Sequence, residues 1–171
     1  MILRSAMKKT HLFYLIAVFL GIIQGVYFYP LLPENMAVHF GADGQADGWG
    51  SKDGFYQGMG IVFAIMTVLF GAMPWILRAA PDSIINLPNK DYWLTPERRE
   101  NTIERLAEQM LLFGSIALLF LDGTLYLCFQ ANYSAKAAMN AKLLWGMIGG
   151  FAAITIVWIL SLIRSLRRPA I

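Results

Sequence analysis

The sequence predicts an all-α integral membrane protein with four transmembrane helices and both termini in the cytoplasm. Hydrophobic residues make up 57% of the 171 residues, above the roughly 45–50% usual in soluble domains. Only 15% of the residues are charged. The apolar residues gather in four long runs, and basic residues are concentrated in alternate segments between them. We therefore expect a single membrane domain over residues 1–171.

The four apolar runs are each long enough to cross about 30 Å of hydrocarbon as a helix. They lie at about 12–29, 60–77, 111–129 and 143–163. None shows the two-residue alternation of a barrel strand, and only a helix satisfies the backbone of such a continuous run in lipid. The first run is longer than the apolar core of a signal peptide and lacks a small-residue cleavage site. We interpret it as an uncleaved anchor.

Lysine and arginine predict the orientation, because cytoplasmic segments of membrane proteins carry an excess of them. Most of the 14 basic residues precede the first span, separate the second from the third, or follow the fourth. They are Arg4, Lys8, Lys9, Arg78, Lys90, Arg98, Arg99, Arg105, Arg164, Arg167 and Arg168. The alternate segments hold Lys52, Lys136 and Lys142. This pattern places the loop 78–110 in the cytoplasm and the loop 31–57 outside.

The outer loop is expected to be ordered. Its residues Met36 to Phe40 are compatible with a short extended piece. The glycines and aspartates from Gly41 to Gly54 favour successive tight turns, because both residue types tolerate the backbone angles that turns require. Trp49 and Phe55 offer apolar side chains onto which the loop can fold.

The cytoplasmic loop is predicted to lead into a long helix. Its first part, 82–94, is irregular and carries the aromatic residues Tyr92 and Trp93 near its end. Thr95-Pro96-Glu97 then supplies a hydroxyl cap, a proline at the first position and an acid near the positive end of the helix dipole. No breaker separates this start from the third span, so we expect one continuous helix from about Pro96 to Phe129, roughly 50 Å long.

These two loops carry a resemblance to a known family. The outer loop reads Pro-Glu-Asn-Met-Ala-Val-His-Phe at 33–40 and Gly-Gln-Ala-Asp-Gly-Trp-Gly-Ser-Lys at 44–52. The cytoplasmic loop has Asn-Leu-Pro-Asn-Lys-Asp-Tyr-Trp at 86–93 and Pro-Glu-Arg-Arg at 96–99. Both resemble a bacterial membrane domain of unknown function that heads SdpI-type immunity proteins, which protect a cell from a secreted toxic peptide. A full immunity protein carries a further multi-helix segment beyond the four helices predicted here. The resemblance implies a location in the bacterial cytoplasmic (inner) membrane.

Candidate ligand- or partner-binding residues lie in both loops. Those of the outer loop are His39, Asp43, Asp47, Trp49 and Lys52. Those of the cytoplasmic loop are Asn89, Lys90, Tyr92 and Trp93. For the cytoplasmic group, a docking surface and an interfacial segment lying against lipid headgroups are both open alternatives.

Parts of the outer loop are compatible with two kinds of metal site. A calcium loop is partly matched by Asp43, Gln45, Asp47, Gly48 and Ser51. However, Gly54 stands where that loop needs a bidentate glutamate, and turn chemistry explains the same residues. His39 with a loop aspartate is compatible with zinc or a general base, and equally with a structural hydrogen bond. We favour the structural interpretations and predict no metal and no other cofactor.

Asp122 is the one acidic residue inside a predicted span. A carboxylate at that depth costs about 2.5–3.5 kcal/mol on insertion scales, so it is expected to face other helices. Gln24 and Thr67 fall at similar depth. Two alternatives remain, a proton or ion relay and a structural hydrogen-bond cluster that holds the bundle together.

Glycine pairs spaced by four residues occur on the first and fourth spans, Gly21 with Gly25 and Gly146 with Gly150. Such pairs let helix backbones approach closely. We expect them to pack the bundle internally, with contact to a partner as the alternative.

The sequence favours a protein without enzymatic activity. It contains no nucleophile elbow, phosphate loop, paired zinc histidines or nucleotide fingerprint. Topology accounts for the basic residues, so nucleic acid is not an expected partner. In line with the resemblance, we predict a membrane binding or sensing module that meets an extracytoplasmic peptide or small ligand. The alternative is an accessory subunit that associates with another membrane protein or with itself, and the third hypothesis is proton or ion transport through Asp122.

Overall fold

The protein is described here by a computed structural model that covers residues 2–134 and 137–167, with the backbone alone over 2–8. The elements in chain order are α1 (Ile2–Phe28), β1 (Asn35–Phe40), β2 (Ala46–Ser51), α2 (Lys52–Ala79), α3 (Lys90–Trp93), α4 (Arg99–Tyr133) and α5 (Ala141–Ser165). Short 3-10 turns lie at Tyr29–Leu31 and Asp82–Ile84. Of the basic residues that predict the orientation, Lys136 and Arg168 lie outside the described residues, as do the side chains of Arg4 and Lys8.

Four of these helices are long and apolar enough to cross a membrane, which confirms the predicted number of spans within the described chain. They are Lys9–Leu31, Lys52–Ala79, Arg99–Tyr133 and Ala141–Ser165, with mean hydropathies of 2.0, 2.1, 1.9 and 2.2. Helices of this length and composition are those of a multi-pass membrane protein.

Helix α4 forms the centre of the bundle, and α1, α2 and α5 each pack along it. Its buried face alternates large and small side chains, with Leu111 and Leu118 next to Gly114 and Ser115. A Cβ added at Gly114 would lie 2.5 Å from the side chain of Phe70, so the glycine lets α2 approach closely. Helices α1 and α2 both pack mainly on α4, and they meet each other through single side chains, as where the Tyr14 hydroxyl donates to the Thr67 carbonyl.

The loop between α1 and α2 contains a β-hairpin that the sequence predicts only in part. Strand β1 coincides with the expected extended piece, but the prediction of turns throughout Gly41 to Gly54 is wrong over Ala46–Ser51, which pairs with β1 as the antiparallel strand β2. This strand reads Ala-Asp-Gly-Trp-Gly-Ser, and residues of this type are mostly depleted in strands. Its strand conformation is therefore decided by pairing with β1 rather than by its own propensity.

The hairpin packs on the bundle through residues other than Trp49. The Trp49 side chain is 55% exposed, so it does not anchor the loop as expected. Instead Leu32 and Met36 are buried in a cluster with Phe28 of α1 and Phe129 of α4. The hairpin thus rests on the ends of α1 and α4, and we call this the hairpin end of the bundle.

At the opposite end, which we call the basic end, α4 begins three residues later than expected. Thr95-Pro96-Glu97 forms a turn in which the Thr95 carbonyl accepts hydrogen bonds from the Arg98 and Arg99 amides, each 2.9 Å long. Helix α4 then runs without a break to Tyr133, as the absence of a helix breaker predicted. The loop before it folds against α4 and α5 through a buried cluster of Ala80, Ile85, Leu87, Leu94, Ile103, Leu106 and Leu166.

Candidate functional site

Three of the predicted outer-loop residues lie on the exposed face of the hairpin. Asp47 and Trp49 alternate along β2 and therefore point to the same side. The imidazole Nδ1 of His39 is hydrogen bonded to the Asp47 carboxylate. His39 lies opposite Gly48 in the register, where an added Cβ would sit 2.8 Å from the His39 Cβ. Glycine at this position lets the imidazole pass over β2 to reach Asp47.

Asp43 belongs to the turn between the strands. Its Oδ1 accepts a hydrogen bond from the Gln45 amide at 3.0 Å, which is the Asx-turn arrangement expected of turn chemistry. Across the part of the chain that the structure describes, no three His, Cys, Asp or Glu side chains are placed to hold a metal ion. The oxygens that resembled a calcium loop are therefore distributed over a turn and a strand.

Lys52, the fifth predicted residue, has a structural partner that the sequence analysis missed. Its Nζ lies 2.7 Å from Glu34 Oε1 and 4.7 Å from the centroid of the Tyr29 ring. The Tyr29 hydroxyl in turn donates a 2.7 Å hydrogen bond to Asp53 Oδ1. We call Tyr29, Glu34, Lys52 and Asp53 the rim network, since it ties the end of α1, the entry to β1 and the start of α2 together.

The hairpin is fastened to the helices by polar contacts that the sequence analysis also missed. The Asn132 side chain of α4 bonds both main-chain groups of Ala37, and the Trp145 Nε1–H of α5 donates to the Ala42 carbonyl at 3.0 Å. The Met139 amide donates to the Gly44 carbonyl at 2.8 Å. These contacts make the hairpin a rigid platform, because its strand and its tip are held by different helices.

The predicted cytoplasmic residues mostly hold the basic end together. Asn89 Nδ2 and Trp93 Nε1 donate to the Leu166 carbonyl at 3.0 and 2.7 Å. Lys90 Nζ donates to the Ser83 carbonyl at 3.3 Å, and the Arg98 guanidinium lies 4.2 Å from the centroid of the Tyr92 ring. These contacts join the loop to the end of α5 and account for its ordered fold.

Two further groups at this end reinforce the same loop. The Arg99 side chain donates to Asp82 Oδ1 at 2.7 Å and to the Ala80 carbonyl at 2.8 Å. The exposed Glu97 carboxyl accepts hydrogen bonds from the Glu97 main-chain amide and from the Thr95 hydroxyl, and these lower its pKa. Both contacts fix the turn from which α4 begins.

Asp122 lies buried between α1, α2 and α4, and both of its carboxyl oxygens lack a hydrogen-bond partner among the described residues. Gln24 Nε2 donates to the main-chain carbonyl of Asp122 at 3.0 Å rather than to its carboxyl group. The Thr67 hydroxyl is likewise unpartnered there, while the Thr67 carbonyl accepts from the Tyr14 hydroxyl. Of the structural cluster considered as one alternative, the described residues thus contain the contact between the Gln24 side chain and the Asp122 carbonyl, and all three groups face the bundle interior.

The two glycine pairs differ in their surroundings. A Cβ added at Gly21 would lie 2.4 Å from the Phe63 ring and 2.5 Å from Asp122 Oδ1, so Gly21 packs internally as expected. At Gly25 the nearest side-chain atom is 4.0 Å away, in the Tyr56 ring. Gly146 and Gly150 have no described atom within 4 Å of an added Cβ, so the expectation of internal packing is wrong for the α5 pair. Helix α5 packs on α4 through another face, which includes a stacked contact of Trp158 with Phe113.

Two elongated cavities flank α1 near the hairpin end. One, of about 460 Å³, lies between α1 and α2 and has aromatic and glycine residues in its walls. The other, of about 570 Å³, lies between α1 and α4 and passes Asp122, Tyr126 and Gln130. The carboxyl oxygens of Asp122 are nonetheless shielded from solvent.

The comparisons with known proteins cover the first part of the chain. Residues 16–69 match the family described as a domain of unknown function, DUF1648. No curated protein and no solved structure matches the chain. The similarity to DUF1648 therefore extends over the second half of α1, the hairpin and the first two thirds of α2, and leaves α4 and α5 outside it.

Proposed function

We propose that this protein is a non-enzymatic binding or sensing module of a bacterial inner membrane, and that the hairpin face is its ligand-binding surface. The observation that carries the proposal is the exposed indole of Trp49 beside the bonded pair His39 and Asp47. Exposed tryptophans on a rigid backbone are typical centres of binding surfaces. The contacts of Asn132 and Trp145 fix this face before any ligand arrives, which lowers the entropic cost of binding.

A peptide fits the chemistry of this face best. An indole offers a large apolar contact, while the neighbouring carboxylate and imidazole offer hydrogen-bond acceptors and donors. The resemblance of both loops to SdpI-type immunity proteins points in the same direction, since those proteins protect against a secreted peptide. Proton or ion transport through Asp122 has less support, because its carboxyl oxygens are shielded from solvent and have no hydrogen-bond partner among the described residues.

The test is a selection of peptides from a random display library against the protein in lipid nanodiscs. Enriched peptides are expected to lose binding to Trp49→Ala and to Asp47→Asn. Tyr133→Ala is the matched control, because Tyr133 is a similarly exposed aromatic residue that lies on α4 instead of the hairpin. Enriched peptides that bind Trp49→Ala as tightly as the native protein would overturn the proposal.

The proposed orientation places the hairpin outside the cell and both termini in the cytoplasm. It rests on the alternation of basic segments along the chain. Single cysteines introduced in a Cys128→Ser background test it with a membrane-impermeant maleimide. Ala42→Cys at the hairpin tip is expected to react in intact cells, and Ser83→Cys at the basic end only after lysis. The reverse pattern would show the opposite orientation.

An accessory subunit is the second candidate function, and the environment of α5 favours it. None of the most apolar part of α5 is buried, and Gly146 and Gly150 are open to an approaching helix. Gentle detergent purification followed by mass spectrometry is expected to find a stoichiometric membrane partner that Gly150→Leu releases. Gly58→Leu, an equally open position on α2, serves as the control. Purification without any partner would leave the binding module as the better function.

A further inference from the structure

The cavity between α1 and α2 is an apolar groove whose origin is visible in the packing. Both helices pack on α4, so a gap remains between them, and α4 forms its floor through Leu125 and Phe129. Gly25 on α1 and Gly60 on α2 contribute no side chains to fill the gap. The groove has a volume of about 460 Å³, within the range of about 300–1,000 Å³ found for small-molecule sites.

The groove lies within the membrane-spanning parts of α1 and α2 and ends at the rim network. Tyr29 belongs to both, because its ring lines the groove while its hydroxyl donates to Asp53. The rim carries two carboxylates, Glu34 and Asp53, and a single ammonium, that of Lys52. The Lys52 side chain is almost wholly covered, whereas the Glu34 side chain is 85% exposed. The rim therefore presents net negative charge where the groove reaches the membrane surface.

We propose that this groove binds one acyl chain of a membrane phospholipid whose headgroup carries a primary ammonium. The chain lies along the apolar walls, and the ammonium contacts the carboxylates of Glu34 and Asp53. Attraction between these charges favours such a headgroup over an anionic one. This site is separate from the hairpin face and goes beyond the proposed function.

One side chain bridges the two walls of the groove. The Tyr56 hydroxyl crosses it and donates a 3.1 Å hydrogen bond to the Gly25 carbonyl. A helix with its side chains has a diameter of about 10–12 Å, so a helix in the groove would have to displace this bridge. A single hydrocarbon chain is thinner than a helix and needs no polar partners, so it is the occupant that we propose.

The first test uses the native protein and needs no variant. The protein, stripped of lipid in detergent, receives an equimolar mixture of phosphatidylethanolamine, phosphatidylglycerol and phosphatidylcholine with identical chains. Native mass spectrometry then measures which lipid stays bound. Phosphatidylethanolamine is expected to be retained preferentially and to saturate at one molecule per chain. Equal retention of the three lipids, or preference for phosphatidylglycerol, would overturn the headgroup assignment.

The second test locates the site. Gly60→Leu places an apolar side chain at the wall of the groove, and no described atom lies within 4 Å of its Cβ. Retention of phosphatidylethanolamine is expected to fall about tenfold. Gly58→Leu is the matched control on the same helix, since it is equally open but does not line the groove, and its retention is expected to equal that of the native protein. Unchanged retention in Gly60→Leu, or an equal loss in Gly58→Leu, would overturn the groove as the site.

Discussion

The side chain of Asn132 on α4 bonds both main-chain groups of Ala37 in β1. Ala37 N–H donates to Asn132 Oδ1 at 2.7 Å, and Asn132 Nδ2 donates to the Ala37 carbonyl at 2.8 Å. The amide thereby takes the place of a neighbouring strand on the edge of β1 that faces the bundle. Ala37 is completely buried, so both of its main-chain groups need partners within the protein. Asn132 bonds both groups, and the Cys128 thiol lies a further 3.8 Å from the Ala37 carbonyl oxygen.

Replacement of Asn132 by alanine is therefore expected to destabilise the protein. The buried Ala37 amide loses the acceptor that Asn132 supplies, and an unsatisfied group of this kind costs about 1–3 kcal/mol. The Ala37 carbonyl keeps only its long contact with the Cys128 thiol. Thermal unfolding in detergent is expected to show a clearly lower midpoint. Asn101→Ala, an exposed asparagine on the same helix, is the control and is expected to unfold like the native protein. Equal midpoints for the two variants would contradict this role of Asn132.

Gly44 connects the hairpin tip to the loop between α4 and α5. Its φ of 84° is unfavourable for other residues, and an added Cβ would lie 2.2 Å from the Met139 carbonyl oxygen. Gly44→Ala is thus expected to push the tip away from this loop and to break the hydrogen bond from the Met139 amide. Hydrogen exchange of that amide is the measurement, and faster exchange is the expected result.

Gly50→Ala provides the comparison for Gly44→Ala, because its added Cβ would make an ordinary contact at 3.4 Å with Val38. In the Gly50→Ala protein, the Met139 amide is expected to exchange at the native rate. If Gly44→Ala also left that rate unchanged, the hairpin tip would not be held by this loop.

The Phe63 ring and the Asp122 carboxyl group both pack against Gly21 of α1. Gly21→Ala inserts a methyl group into this packed junction, and such overpacking typically costs about 1–3 kcal/mol. A lower unfolding midpoint in detergent is expected. Gly146→Ala on α5 is the matched control, because open space surrounds it and no loss of stability is expected. A Gly21→Ala protein as stable as this control would refute the close packing at the junction.

Asp122 is expected to couple with Gly21 in a double-mutant cycle. Asp122→Ala alone removes a carboxyl group that makes no hydrogen bond among the described residues, so it is expected to leave stability unchanged or raised. In the Asp122→Ala background, Gly21→Ala is expected to lose less stability than in the native protein, because only the Phe63 ring then lies against the added methyl group. Unfolding midpoints of the four proteins measure the coupling. Additive effects would show that the carboxyl group does not obstruct the alanine at position 21. Strong destabilisation by Asp122→Ala would contradict the expectation that this carboxyl group adds no stability.

Parts of the candidate surface were predictable from sequence, and the missing parts have a physical reason. A hydrogen bond between His39 and one of the aspartates of the same loop was among the alternatives, and in the structure the partner is Asp47. The Glu34 partner of Lys52 was not predicted, since the two residues are 18 positions apart and meet only when the hairpin forms. The Asn132 contact with Ala37 spans 95 positions and leaves no local pattern.

The sequence by itself determined the four membrane-spanning helices, because insertion into lipid depends on the local composition of each run and on the need for its backbone to bond internally. It likewise indicated the unbroken course of α4. The tertiary structure alone decided that α4 is central, that Ala46–Ser51 is a strand, and that Gly21 packs internally while Gly146 and Gly150 do not. Each of these outcomes depends on which surface faces a distant segment, and every helix here is apolar on most of its sides. Hydrophobic periodicity therefore cannot distinguish a face that meets lipid from a face that meets another helix.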